Sequence, residues 1–144
     1  MPALFPAGSN ALGQIRSLAT RGDVIAQALM AIMNGTHWVK LTAAAENTGA
    51  NTITITGQVC DQDGQNVAAT AQVVVESIPV SGAGTMTVGA SGTIKNGSGT
   101  KKVWIQTNSS GTFQLVVLNA AAEDNLIVAT ADNGETEVLK LTYV

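Results

Sequence analysis

NTITITGQV, residues 51–59, is the stretch that decides the fold class. Its apolar side chains belong to Ile53, Ile55 and Val59, and threonines occupy positions 52, 54 and 56. Alternation with a period of two is typical of a β-strand that has one buried face and one exposed face. The stretch therefore predicts a strand whose isoleucines and valine point into the core.

The same alternation recurs from about residue 36 to residue 144. Turn-forming residues, mainly Gly, Asn, Asp and Ser, separate the alternating segments at intervals of roughly ten residues. Short strands with regular turns and no helices between them are typical of a sandwich or a barrel. We therefore predict an all-β domain of seven to eight strands over residues 36–144. Besides residues 51–59, the segments that carry the pattern are HWVKLT (37–42), TAQVVVES (70–77), GTMTVGA (84–90), KKVWIQT (101–107), TFQLVVL (112–118), NLIVATA (125–131) and EVLKLTYV (137–144).

Residues 81–99 are rich in Gly, Ser and Thr, and they fit two descriptions. The composition is that of a long loop. The alternation within TMTV, residues 85–88, instead indicates a weak hairpin at the edge of a sheet. Both interpretations stay open on the sequence alone.

The first 35 residues have a helical pattern instead of an alternating one. Apolar residues recur at three- and four-residue spacing in SNALGQIRSLA (9–19) and in TRGDVIAQALMAIMNG (20–35). Thr20 and Asp23 are start signals for the second helix, and the Asn-Gly pair at 34–35 is a stop signal. The sequence thus predicts two parts, an N-terminal helical docking arm over residues 1–35 and a β-sandwich domain over residues 36–144.

The second predicted helix is apolar around most of its circumference. Between residues 23 and 33, only Asp23 and Gln27 are strongly polar. A helix of this kind has to be covered on more than one side. One face of the sandwich covers one side, and we assign the other to a neighbouring subunit, which predicts a homo-oligomer within a larger assembly. The arm residues predicted to contact a partner are Leu12, Ile15, Leu18, Ile25, Leu29, Ile32 and Met33.

Trp104 is the predicted partner contact on the sandwich itself. If Val103 and Ile105 point inward, Trp104 points outward, because successive side chains of a strand lie on opposite faces. An outward tryptophan is explained either by an interface patch or by a strand that is covered on both faces, for example by the helical arm. Both explanations stay open on the sequence alone.

Composition limits the classes of function. One cysteine, Cys60, and one histidine, His37, provide no disulfide framework and no four-cysteine zinc site, and they leave little material for a Ser–His or Cys–His pair. Seven basic against ten acidic residues, a net charge of −3, form no basic stripe for nucleic acid. The longest apolar stretch, residues 24–33, is too short to cross a bilayer. We therefore predict no catalytic residue, no cofactor, no nucleic-acid partner and no membrane span.

DQDG, residues 61–64, has two possible meanings. Asp61 and Asp63 open like a calcium-binding loop, but no bidentate glutamate follows until Glu76. Aspartate and glycine also favour the left-handed conformations that a chain reversal requires. We therefore predict a turn and no metal site.

Two motifs resemble the pattern of bacterial immunoglobulin-like modules of the invasin type. In that family an Asp-x-x-Gly turn precedes a Val and an Ala-x-Val strand, and a later Thr-Asn/Asp-x-x-Gly turn precedes an alternating strand. The matching positions are Asp61, Gly64, Val67, Ala71 and Val73 in the first motif, and Thr107, Asn108, Gly111, Phe113, Leu115 and Val117 in the second. The resemblance covers about residues 36–144 and implies an immunoglobulin-like β-sandwich without catalysis, used in surface display, adhesion or virion decoration.

This chain departs from the surface-exposed members, which come in tandem behind a secretion signal. It carries one module, no evident signal and an apolar arm. We therefore expect a non-enzymatic structural protein of a tailed-phage virion, a capsid decoration or cement protein or another head–tail component. Such a protein is synthesised in the host cytoplasm and contacts capsid or tail subunits and its own copies. The alternative is a receptor- or carbohydrate-binding module on a phage tail or bacterial cell surface.

Overall fold

In the computed structural model, the described residues are 38–61, 63–132 and 134–144, together with residues 22 and 25. These residues contain nine β-strands arranged in two antiparallel sheets. The four-stranded sheet has the order β1-β2-β7-β4, and the five-stranded sheet has the order β5-β6-β3-β8-β9. The strands are β1 (Trp38–Ala43), β2 (Thr52–Cys60), β3 (Gln72–Pro79), β4 (Thr85–Val88), β5 (Thr93–Asn96), β6 (Lys102–Gln106), β7 (Thr112–Leu118), β8 (Asp124–Thr130) and β9 (Thr136–Thr142).

The core lies between the two sheets and follows the predicted alternation. Ile53, Ile55 and Val59 are buried on β2, as the opening stretch predicts. Val103 and Ile105 of β6 are buried as well. The all-β sandwich is therefore confirmed over these strands. The largest fully buried side chains are Phe113, Ile55, Met86, Ile105, Leu115, Ile127 and Leu141.

The strand count was underestimated, because the described residues hold nine strands where seven to eight were predicted. Residues 81–99 contain two strands, β4 and β5, which do not pair with each other as an edge hairpin would. β4 pairs with β7, and β5 pairs with β6. The sequence gives no signal for β5, because Ile94 is its one apolar residue and because its register shifts between Ile94 and Asn96.

Three five-residue turns share one hydrogen-bonding pattern, and the fourth residue of each is a glycine with positive φ. In each, the first residue donates its N–H to the carbonyl of the fifth, and the glycine donates to the carbonyl of the first. The φ of that glycine is 76° at Gly64, 78° at Gly111 and 87° at Gly134. The left-handed region favours glycine, which explains the spacing of the Asp-x-x-Gly and Asn-x-x-Gly motifs. The turns span residues 61–65, 108–112 and 131–135.

These turns lie at one end of the sandwich, which we call the turn end, and β1 also begins there. Trp38 pairs with Cys60 at the end of β2, next to the turn at residues 61–65. β1 lies beside β9, and Val144 donates its N–H to the Glu46 carboxylate, 2.9 Å away, just beyond the other end of β1. Trp38 and Val144 therefore lie at opposite ends of the sandwich.

The helical arm predicted for residues 1–35 lies outside the described residues, apart from Gly22 and Ile25, and it stays a prediction together with its boundary at residue 35. Where the structure describes the chain, no helix is long and apolar enough to span a membrane.

Candidate interaction surface

The outer face of the five-stranded sheet carries several apolar side chains around one exposed glutamate, Glu76. Three cross-strand pairs point outward from the core: Val74 with Trp104, Ile78 with Leu126, and Val128 with Val138. Val74 and Ile78 lie on the same face of β3, and β3 pairs with both β6 and β8. Glu76 lies between them on this face, with Lys102 and Val128 as its cross-strand partners. We call these six residues the apolar face. Ile78, Trp104, Leu126 and Val138 are exposed on it.

Trp104 points outward as predicted, with 38% of its surface exposed. The Lys102 ammonium group lies 5.5 Å from the centre of the indole ring, within the range of a cation–π contact. The exposed part of the Trp104 indole ring therefore lies beside a positive charge. In this single chain it belongs to the exposed apolar face, and its predicted role as a partner contact stays a prediction.

The outer face of the four-stranded sheet has a different character. Its central positions are threonines and glutamines, and the Gln114 side-chain amide lies 3.3 Å from the hydroxyl of Thr56. Val116 and Leu118 are the apolar residues that β7 adds to this face, and 42% of Leu118 is exposed. Hydroxyl and amide groups can keep their hydrogen bonds to water, whereas the six side chains of the apolar face have no hydrogen-bonding group except the Trp104 indole N–H. The two outer faces are therefore chemically distinct.

Asp61 forms a turn, which confirms that prediction. Its side chain is 2% exposed, and its Oδ1 accepts hydrogen bonds from the N–H groups of Asp63 at 2.9 Å and Gln65 at 3.1 Å. The carboxylate that resembles a calcium ligand is thus used to order the backbone of the turn. Where the chain is described, no group of three or more His, Cys, Asp or Glu side chains is placed to hold a metal ion.

Two side chains of β1 attach this turn to the point where the chain enters the sandwich. The Trp38 indole N–H donates to the carbonyl oxygen of Asp61, and the Lys40 ammonium donates to the carbonyl oxygen of Gly64 at 2.7 Å. Trp38 is the first residue of β1, so the start of the sandwich is held to this turn by hydrogen bonds.

Cys60 is fully buried at the end of β2. Its Sγ lies 3.5 Å from the carbonyl oxygen of Gln58. Burial raises the pKa of the thiol, although nearby Lys40 acts in the opposite direction. A buried thiol that stays protonated is a poor nucleophile. The structure therefore places Cys60 in the packing of the sandwich.

Glu123 joins two loops at the end opposite the turn end. Its carboxylate accepts hydrogen bonds from the Asn119 amide at 2.9 Å, from the N–H of Gly82 at 2.8 Å, and from the N–H and hydroxyl of Ser81. These bonds, with the Asn119 contribution largest, lower the pKa of Glu123 to about 2. The sequence analysis missed this contact, because Ser81 and Gly82 lie some forty residues earlier and no local signal marks them.

The predicted partner residues of the arm lie outside the described residues, with the exception of Ile25. Its side chain is 74% exposed. Leu12, Ile15, Leu18, Leu29, Ile32 and Met33 therefore remain predictions, and their relation to Trp104 is untested.

Comparisons with known proteins show the fold. No protein-family model and no curated protein sequence matches the chain. Among solved structures, the chain is similar to the adhesin InvE of Yersinia pseudotuberculosis, with a TM-score of 0.51 and 15% identity over 74% of this chain and 32% of that one. It is also similar to a β-glycosidase from Bacteroides vulgatus, with a TM-score of 0.52 and 13% identity over 74% of this chain and 14% of the enzyme.

A β-glucuronidase of glycoside hydrolase family 2 gives a TM-score of 0.53 and 16% identity, and the chain covers 11% of its length. The similarity to these enzymes thus extends over a small part of each, and it does not make this chain an enzyme. At such identities the likeness concerns the fold alone. The likeness fits the β-sandwich that the resemblance of the two turn motifs implies.

Proposed function

We propose that the protein is a non-catalytic structural component of a virion, a capsid decoration or cement protein or another head–tail component. It docks through residues 1–35 and displays the immunoglobulin-like domain. The observation that supports this best is that the chain enters the sandwich at the turn end, where Trp38 begins β1 beside the end of β2. A domain whose N-terminal segment enters at one end of the sandwich presents the opposite end away from whatever surface holds that segment.

The junction at the turn end suits such a role. Trp38 and Lys40 bind the carbonyl groups of Asp61 and Gly64, so the first strand is tied to the turn at residues 61–65 by two side chains. A force applied to residues 1–37 therefore reaches the sandwich through β1 and this turn together. In this proposal, β1 and the turn together hold the displayed domain to the segment that precedes it.

In this proposal, burial of the apolar side chains of the arm provides the free energy of docking. Residues 24–33 are apolar except for Gln27. Burying a Leu or Ile side chain of this segment in a contact stabilises it by roughly 1.5–3 kcal/mol. Partners in this proposal are other virion subunits and further copies of the chain, and the site of action is the virion after synthesis in the host cytoplasm.

A second candidate is a receptor- or carbohydrate-binding module on a phage tail or bacterial cell surface. Trp104 favours it, because an exposed indole ring offers an apolar surface for a sugar ring, and Lys102 beside it is a hydrogen-bond donor. A glycan array probed with the full chain and with Trp104→Ala tests this candidate. Glycan binding that depends on Trp104 supports it, and an array without binding excludes carbohydrate.

The virion proposal is tested on purified particles. Mass spectrometry of gradient-purified virions from the lysed host, with immunogold labelling of intact particles, locates and counts the protein. We expect a fixed number of copies per particle and gold on the particle surface. Absence of the chain from particles, with the protein found free or on the cell surface, overturns the proposal.

A further inference from the structure

The edge strand β5 ends in an Asn-Gly pair, Asn96 and Gly97. We infer that Asn96 is a site of spontaneous deamidation, where the folded chain converts asparagine to aspartate and isoaspartate without an enzyme. The inference does not depend on the virion proposal. It concerns the surface that carries Trp104, because Asn96 is the register partner of Trp104.

The reaction needs only these two residues and water. The backbone nitrogen of Gly97 loses its proton and bonds to the side-chain carbonyl carbon of Asn96, and the amide nitrogen of Asn96 leaves as ammonia. Water then opens the resulting succinimide ring at either of its carbonyl carbons, which gives aspartate or isoaspartate. Asparagine is one of the chemically labile residues of proteins, and a glycine after it leaves the attacking nitrogen unobstructed.

The fold requires a glycine at position 97. The φ of Gly97 is 84°, and a Cβ atom added there would lie 2.1 Å from the carbonyl oxygen of Lys102. A residue with a side chain therefore cannot replace Gly97 unless the backbone of β6 moves. The geometry of the connection between β5 and β6 thus keeps the reactive pair together.

Asn96 is accessible, and its strand is weakly held. The Asn96 side chain is exposed, and no hydrogen bond joins its amide to another of the described residues. β5 has four residues, lies at the edge of the sheet and shifts its register next to Asn96. Short, irregular edge strands open locally at a small cost in free energy. Local opening allows the peptide group after Asn96 to rotate toward the side chain.

A second Asn-Gly pair, residues 133–134, differs at the attacking nitrogen. The Gly134 N–H donates a hydrogen bond to the carbonyl oxygen of Ala131 at 3.0 Å, which holds this nitrogen within its turn. Within the described part of the chain, the Gly97 N–H donates to no acceptor, and Thr100 donates to the Gly97 carbonyl oxygen instead. Asn96 should therefore react faster than Asn133 in the folded protein. The third pair, residues 34–35, lies outside the described residues.

Deamidation changes the charge of the surface around Trp104. Either product adds one negative charge beside Trp104, whose ring also lies close to the Lys102 ammonium group. Isoaspartate in addition lengthens the backbone by one methylene group, which disturbs the hydrogen-bonded pairing of β5 with β6. The charge of this surface therefore changes as the protein ages.

Rates measured separately at each asparagine test the inference. The full-length protein is incubated at mildly alkaline pH, either folded or unfolded in urea, and peptides from an acidic digest are analysed by mass spectrometry at intervals. We expect Asn96 to react several-fold faster than Asn133 in the folded protein and at a similar rate in urea. An Asn96 that reacts no faster than Asn133 in the folded protein overturns the inference. A rate ratio that stays the same in urea shows that the fold does not select Asn96 and overturns it as well.

Asn96→Gln is the matched control, because glutamine keeps the amide but would have to form a larger ring. We expect no modification at residue 96 in this variant and an unchanged rate at Asn133, with the β-structure verified by circular dichroism. Modification at residue 96 at the wild-type rate contradicts the inference.

Hydrogen exchange provides an independent measurement of the two nitrogens. We expect the Gly97 amide to exchange faster than the Gly134 amide in the folded protein, because only the second donates a hydrogen bond to a carbonyl group of the described residues. Slower exchange at Gly97 would contradict the structural basis of the inference.

Discussion

Phe113 lies across Gly57, its register partner on the neighbouring strand of the four-stranded sheet. A Cβ atom at Gly57 would lie 2.2 Å from the Cε1 and Cζ atoms of the Phe113 ring. Because Gly57, in the middle of β2, has no side chain, the ring of Phe113 can occupy the space beside it. Phe113 is the largest fully buried side chain of the described residues. This pair explains why NTITITGQV, an otherwise regular strand sequence, contains a glycine.

Gly57→Ala should destabilise the sandwich by about 1–3 kcal/mol, because the methyl group forces the Phe113 ring out of its position in a packed core. Urea unfolding followed by Trp fluorescence measures the change. Gly49→Ala is the control, since its added Cβ meets only Asn47 Oδ1 at 3.5 Å, an ordinary contact distance. We expect the control to stay within about 0.5 kcal/mol of wild type. Equal stability of the two variants would show that the ring is not confined by Gly57.

Asp61→Ala should lower the free energy of unfolding by about 1–2 kcal/mol, because two backbone N–H groups lose the oxygen that they share, as at a helix cap. Asp61→Asn should cost much less, since an amide oxygen can accept the same bonds. Asn108 does so in the turn at residues 108–112, where its Oδ1 accepts from Ser110 and Thr112, both at 3.0 Å. Thermal unfolding with and without calcium completes the test. A calcium-dependent rise in melting temperature that Asp61→Asn abolishes would contradict the turn assignment.

The Glu123 contact predicts a specific dependence of stability on pH. Folding lowers the pKa of Glu123 from 4.5 to about 2, so the folded state binds its proton less readily than the unfolded chain. The resulting stabilisation is fully present above about pH 5 and is lost as the pH falls from there toward 2. Glu123→Gln should be less stable than wild type at pH 7, and the difference should narrow at pH 3.

Urea unfolding at pH 7, 5, 4 and 3 measures this dependence. The pKa of Asp124 is also lowered, first by its hydrogen bond with Thr142, so Asp124→Asn serves as a second variant that removes a separate part of the acid sensitivity. A constant difference between Glu123→Gln and wild type from pH 7 to pH 3 would show that the carboxylate charge is not what the two loops recognise.

Local patterns were sufficient to predict most of the sandwich. Burial of Ile55 and Leu115 follows from alternation within single strands, and the turns at Asp61 and Asn108 follow from motifs of four residues. Each of these features is determined by neighbours in sequence. The outward direction of Trp104 was predictable for the same reason.

Features that depend on distant residues were not predictable. β5 is a strand because β6 pairs with it, and its own residues, with Ile94 alone apolar, have no alternation to detect. The Glu123 contact depends on a loop that begins at Ser81 and is brought near by the fold. Of the apolar face, only Trp104 was predicted to point outward as a contact residue. The other members lie on β3, β8 and β9 and meet only in the folded sheet.

The most direct test of the account compares the full chain with a variant lacking residues 1–35, by counting copies per purified virion with quantitative mass spectrometry. Every described strand lies after residue 37, so the truncated chain should fold, as circular dichroism and cooperative unfolding would show. We expect the full chain to be present at fixed copy number and the folded, truncated chain to be absent from particles. Truncated protein at wild-type copy number would contradict docking through the N-terminal arm.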